Sequence, residues 1–415
     1  MDNLTANIDT GLASVHDTNS GSATDFSKRA YDLYNAGRYD DAIAHVKQDP
    51  KFSTSAFGHV LVGNCHRQMG DMNTALSFWN KATELSPLDF SAYMNLGNYY
   101  YSVNNLKEAI LNWTIATTIL PENPTVNFNL ALAYDKKGFR IKSTKYFEKF
   151  LKYEQNKQSN EYVMVKQRFA NLMAKVDFYS KKVEEFKLQK NLEIIAALYL
   201  KMIATYSLLP SVYANIGEIF NFDKNYTRAL EFFRLIYLNF PFTTKTLIEV
   251  ANLSYVNGLS SYAYVYYKRA LEHLPEGTSH YAKVTAQLAS LEHVFGDSEV
   301  MDFHLEKAQE AVEDNDYETA VDEYENYLLL SDSELPDIQK TIDKYKVFVN
   351  PEPFVISVLY NQIPELMNRK KLNTCIEVCD RIIAMAKDHS KEVVYAMKCK
   401  SDCKRIIVAR EQFGV

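Results

Sequence analysis

The chain has 415 residues, of which 47% are hydrophobic and 24% charged, with a formal net charge of −6 and an isoelectric point near 5.9. That balance gives no global reason to bind nucleic acid or an anionic membrane, and no apolar run reaches the roughly 18 residues that insertion into a bilayer needs. The five cysteines include no CxxC pair, so neither the common zinc motif nor a secreted disulfide framework is indicated.

Residues 1–24 are rich in Ser, Thr, Asn, Asp and Gly and read as a disordered polar tail. The start, Met1-Asp2-Asn3-Leu4, lacks the basic and apolar regions of a signal peptide, and a reducing cytoplasm is the expected location.

From 25 to 153 a 34-residue echo takes over, clearest at Leu96-Gly97, Tyr100, Ala109, Trp113, Ala116 and Pro121. It recurs one period earlier at Val62-Gly63, His66, Ala75, Trp79, Ala82 and Pro87, and one period later at Leu130-Ala131, Tyr134, Ser143 and Phe147. Tyr93, Leu96, Gly97 and Tyr100 form one stripe of a first helix, while Ala109, Trp113 and Ala116 form that of a second. The small residues let two backbones approach and the rings fill what remains. The reversal between the helices falls at Gly37, Gly70, Asn104, Gly138, Gly258, Gly296 and Asn315, residue types that tolerate a left-handed backbone.

Residues 154–209 carry only an Ala196, Leu200, Ile203 trace of the pattern and are expected to form a helical connector, with a polar joint near 155–159. A second block spans 210–275, through Gly217, Phe220, Ala229, Phe233 and Pro241, then Ala251, Ala263, Tyr267, Ala270 and Pro275. Within 276–330 two registers overlap on Ala308: one runs Ala289, Met301, Leu305, Ala308, the other Ala308, Ala311, Ala320, Tyr324. Residues 331–415 hold a worn repeat, Ile363, Leu366, Cys375, Cys379 and Ile382, and a closing helix from about Lys391.

This constellation resembles the tetratricopeptide repeat family. The resemblance implies an all-α fold, a right-handed α-solenoid of stacked antiparallel hairpins, whose first helices line a concave groove. Mapped onto that groove, Asn95, Asn129 and Asn215 share one register position and Asn64, Asn98 and Asn252 another, with Met94, Tyr101, Phe128 and Tyr255 between them. An amide carries a donor and an acceptor, so such a ladder suits the backbone of an extended peptide. Phe222 and Ile248 complete the lining. The basic residues that family members use to clamp a terminal carboxylate are missing, since the corresponding positions read Val60, Met94, Phe128, Ala214 and Ile248, then Leu61, Asn95, Asn129, Asn215 and Glu249.

The expected function is a non-enzymatic scaffold or adaptor binding an extended or helical segment of a protein partner in the N-terminal groove, with no cofactor and no metal. Self-assembly into a homo-oligomer and service as an accessory subunit of an enzyme are the alternatives. No GxxxxGK[ST], GxSxG or HExxH occurs. His59, Cys65 and His66 share a helix at spacing poor for ligation, His293, Asp297, Asp302 and His304 read as a mixed-charge loop, and Cys375, Cys379, Cys399 and Cys403 read as buried thiols, with a four-thiolate site as the alternative. A basic run from Lys136 to Lys152 and an acidic run from Glu310 to Glu325 read as solvated faces, or as patches that steer partners or pair between copies.

Overall fold

The computed structural model describes residues 25–413 except 332, 350, 351, 369, 371 and 386–389. The polar segment 1–24 lies outside the described residues. The described residues are all-α and contain no strand. They fall into two units, one made of 25–133 with 352–413 and the other of 134–349.

The first unit opens with α1 (Asp25–Asn35), α2 (Tyr39–Lys47), α3 (Ala56–Gln68), α4 (Met72–Leu85), α5 (Phe90–Ser102), α6 (Leu106–Ile119) and α7 (Pro124–Lys137), the boundary falling inside α7. The second unit continues with α8 (Arg140–Tyr153), α9 (Asn160–Leu188), α10 (Leu192–Thr205), α11 (Pro210–Phe222), α12 (Tyr226–Asn239), α13 (Thr244–Val256), α14 (Ser260–Leu271), α15 (Ser279–Ala289), α16 (Ser298–Glu313), α17 (Tyr317–Leu330) and α18 (Pro336–Val349). The chain then supplies α19 (Glu352–Asn368), α20 (Leu372–Met385) and α21 (Lys391–Phe413) to the first unit, where α19 lies against α6.

Helices pair as antiparallel hairpins, α3 with α4, α5 with α6, α11 with α12, α13 with α14 and α16 with α17, because small residues on one helix seat rings from the next. A β-carbon built on Gly63 would stand 2.6 Å from Trp79 Nε1, and one on Gly217 would stand 2.7 Å from Phe233. Gly97 meets Trp113 in the same way. Both tryptophans are fully buried. The seven expected reversal residues all have positive φ, between 58° and 86°. Lys190, Lys224 and Lys370 adopt the same backbone at 55° to 59°, so a lysine stands where the pattern uses Gly or Asn. Asp71, Asp89 and Asn105 cap the next helices, each accepting the backbone N–H three residues on.

The overlap at 276–330 resolves to the second register. Ala308 and Ala320 are fully buried and Tyr324 nearly so, which makes α16 and α17 the hairpin, while α15 packs on α14. In the connector α9 pairs with α10: Ala196, Tyr199 and Met202 are buried, and Leu200 and Ile203 pack half-buried against the core. In the terminal hairpin Ile363, Cys375, Cys379 and Ile382 form one fully buried cluster with Cys403 of α21.

Candidate functional site

The groove asparagines divide by unit. In the first, Asn64, Asn95, Asn98 and Asn129 are 8%, 3%, 2% and 0% exposed. Asn64 Oδ1 accepts both the Trp79 indole N–H at 3.0 Å and Asn95 Nδ2 at 2.7 Å. One period on, Asn98 Oδ1 accepts the Trp113 indole N–H at 3.2 Å and Asn129 Nδ2 at 3.3 Å. Met94 and Phe128 are buried too, and Tyr101 is half-buried with its ring 5.4 Å from that of Trp113. These amides therefore brace one hairpin against its own second helix and against the next hairpin. The signal was available in the sequence: a buried indole N–H needs an acceptor, and an amide oxygen fifteen residues earlier supplies it.

In the second unit the same register position holds Asn252, which accepts the Tyr267 hydroxyl at 2.7 Å yet is itself exposed. Asn215 is half-buried and donates to the Tyr199 hydroxyl at 3.2 Å. Tyr255 is 45% exposed, Val256 54% and Phe222 76%. Phe222 and Val256 occupy equivalent positions near the ends of α11 and α13, so apolar side chains face solvent along first helices here, beside an amide.

The charged runs meet in part inside one chain, while Lys136, Arg140, Glu310 and Glu313 are exposed, as a solvated face requires. Lys142 of α8 is 7% exposed and pairs with Asp316 at 3.3 Å and Glu318 at 2.5 Å. Lys137 donates to the backbone carbonyl of Asp314 and to the Asn315 side chain. Further along α17, Asp322 and Glu323 are 4% and 1% exposed. Asp322 receives Arg269 of α14 and the Tyr266 hydroxyl at 2.9 Å, while Glu323 receives Arg234 of α12 at 3.0 Å, the Tyr262 hydroxyl at 2.8 Å and a His304 contact at 2.7 Å. Burial works to raise the Asp322 carboxyl, but Arg269 and Arg234 outweigh it and hold it below the usual carboxylate range. Periodicity reads α17 as one more second helix and gives no hint of this, because a buried carboxylate and an exposed one look alike in sequence.

No three His, Cys, Asp or Glu side chains among the described residues are placed to hold a metal ion. His59 turns back to the Ser55 carbonyl at 2.8 Å and stacks on Phe52, and His304 is spent on Glu323. Cys375, Cys379, Cys399 and Cys403 are buried free thiols. Burial pushes Cys375 and Cys379 up to about 11 and Cys403 to about 12. No helix among the described residues is long and apolar enough to cross a membrane.

No protein-family model and no curated protein matches the chain. Among solved structures it is similar to a tetratricopeptide repeat protein from Parabacteroides merdae, with 13% identity over 64% of this chain and 97% of that one, at a TM-score of 0.30. The TPR domain of P58(IPK) aligns at 12% identity over 85% and 98%, with a TM-score of 0.36. YrrB, described as a TPR protein with an unusual peptide-binding site, aligns at 19% identity over 47% and 89%, with a TM-score of 0.25.

Proposed function

We propose that this array of tetratricopeptide-type hairpins is a non-enzymatic scaffold or adaptor that holds a segment of a partner protein. The segment lies along the first helices of the second unit, chiefly α11 and α13. The observation that supports this is the contrast between the two sets of first helices. The amides of Asn64, Asn95, Asn98 and Asn129 are buried and tied into internal hydrogen bonds, with Asn98 Nδ2 and Asn129 Oδ1 buried without a partner. Phe222, Tyr255 and Val256 leave ring and branched surface in water next to the exposed Asn252. Such surface gains from being covered, by roughly 25 cal/mol per Å² of apolar area, and the amide supplies polar pairing for a main chain.

Capture of binding proteins by the immobilised full chain, compared with Phe222→Ser/Tyr255→Ser and with Met69→Ser, an exposed control in the first unit, tests the reading. At least one protein held by the parent and by the control is expected to be lost from the double variant. If everything captured stays bound to all three, with circular dichroism unchanged, the assignment to α11 and α13 is wrong.

A further inference from the structure

A cavity of about 360 Å³ opens within the second unit between α8 and α17, walled by Tyr146, Tyr317 and Phe348 and edged by Lys145, Lys149 and Lys152. This is within the range of roughly 300–1,000 Å³ usual for small-ligand sites. Lys142, Lys145, Lys149 and Lys152 fall three, four and three residues apart, so all four ammonium groups share one face of α8. Lys142 is neutralised by Asp316 and Glu318. The remaining carboxylate on the wall, Glu148, is taken by the Tyr206 hydroxyl.

Among the described residues, no carboxylate is in ion-pair contact with Lys145, Lys149 or Lys152. Lys145 donates to the Asn239 backbone carbonyl and rests 5.4 Å from the Phe240 ring centre. Lys149 rests over Tyr146 at 5.0 Å and Lys152 over Tyr153 at 4.7 Å. A ring face offsets only a part of an ammonium charge, about 0.5–2 kcal/mol. Four lysines and two carboxylates, Glu148 and Glu318, thus line an open cavity with aromatic walls, and the lining carries an excess of positive charge.

We propose that this cavity binds a phosphate monoester whose ester group is small and apolar or aromatic. A single carboxylate answers one ammonium, whereas a phosphate carries close to two negative charges and three acceptor oxygens, enough to engage neighbouring lysines together. The rings of Tyr146, Tyr317 and Phe348 offer flat apolar surface to the ester group. The crowding has a further sign: burial, joined by Lys142 and Lys149, outweighs the pull of Glu318 and holds Lys145 below the usual lysine range, and burial with Lys152 does the same to Lys149. An anion between them would relieve that. None of its lining residues lies on α11 or α13, and the site stands or falls independently of the partner-binding reading.

Titration calorimetry on the full chain at low salt, with phenyl phosphate, inorganic phosphate and phenylacetate as probes, tests the proposal. Saturable binding of phenyl phosphate is expected, tighter than inorganic phosphate and much tighter than phenylacetate. Lys149→Gln/Lys152→Gln, both at the mouth of the cavity, should weaken it about tenfold or more, while Lys81→Gln should leave it unchanged. A phosphotyrosine peptide binding as well as phenyl phosphate makes the source a modified side chain, and its exclusion makes the source a free small molecule. Absence of saturable phenyl phosphate binding, equal binding by the double variant, or phenylacetate binding as well as phenyl phosphate would overturn it.

Discussion

Asn95 donates its side-chain N–H to the Asn64 oxygen at 2.7 Å, joining two hairpins through a bond between residues thirty-one apart. Both amides are buried, so each bond carries the cost of leaving a group unpaired if its partner is removed, about 1–3 kcal/mol. Asn95→Ala should lower stability by about that amount. Asn64→Ala should cost more, because it also strips the acceptor from the Trp79 indole. Thermal melts followed by circular dichroism check the order of the two variants.

Packing at Gly97 makes a second expectation. An added methyl group meets the Trp113 ring, which is itself fully buried. Gly97→Ala should destabilise by about 1–3 kcal/mol, whereas Trp113→Ala should cost about 3–5 kcal/mol. Urea midpoints of the two variants against the parent decide it.

The carboxylate of Asp322 predicts a pH dependence. Its folded value lies below the ordinary 3.8, so the stability it contributes is complete above about pH 4 and disappears as the pH falls through the lower folded value. Removing it as Asp322→Ala leaves the buried Arg269 with only Glu325, at 3.5 Å, as a carboxylate partner and should cost about 3–5 kcal/mol at neutral pH. Melting temperature against pH should drop steeply on the acid side in the parent, and the variant should lose that part of the slope.

Thiol chemistry provides a fourth check. Burial holds Cys65, Cys375 and Cys379 near 11 and Cys403 near 12. Only a minute thiolate fraction then exists at pH 8, and the thiolate is the reacting species. A disulfide exchange reagent should label these four slowly or not at all in the native protein and completely in guanidinium. Fast native labelling of any of them would contradict the burial.

Much of the hairpin architecture was legible because its rules are local. A glycine or alanine opposite a ring, and a Gly or Asn at each reversal, follow from sterics within some twenty residues, and Gly63, Gly97, Gly217 and the seven reversal positions show it. Lys190, Lys224 and Lys370 escaped because lysine has no special tolerance for positive φ and takes it only when the two flanking helices impose it. On α10 the expected Ala196 is buried and Leu200 and Ile203 pack half-buried beside Tyr199 and Met202, which carry more of the core than the pattern assigns them. The candidate site was less legible. Position in the repeat told where an asparagine sits but not whether its amide is free, and Asn64, Asn98 and Asn252 each turn out to accept from the ring fifteen residues later. The pairing of Lys142 with Glu318 joins residues 176 positions apart, which no periodicity reports.

That last pairing changes how the second unit comes apart. A linear array whose members touch only their neighbours frays from its ends and unzips one member at a time. Here α17 grips α8, α12 and α14 at once through Lys142, Arg234 and Arg269, so the series is closed into a circuit. Opening any one member strains the ties held by the others, and hydrogen exchange across 134–349 should report a single concerted opening instead of a gradient.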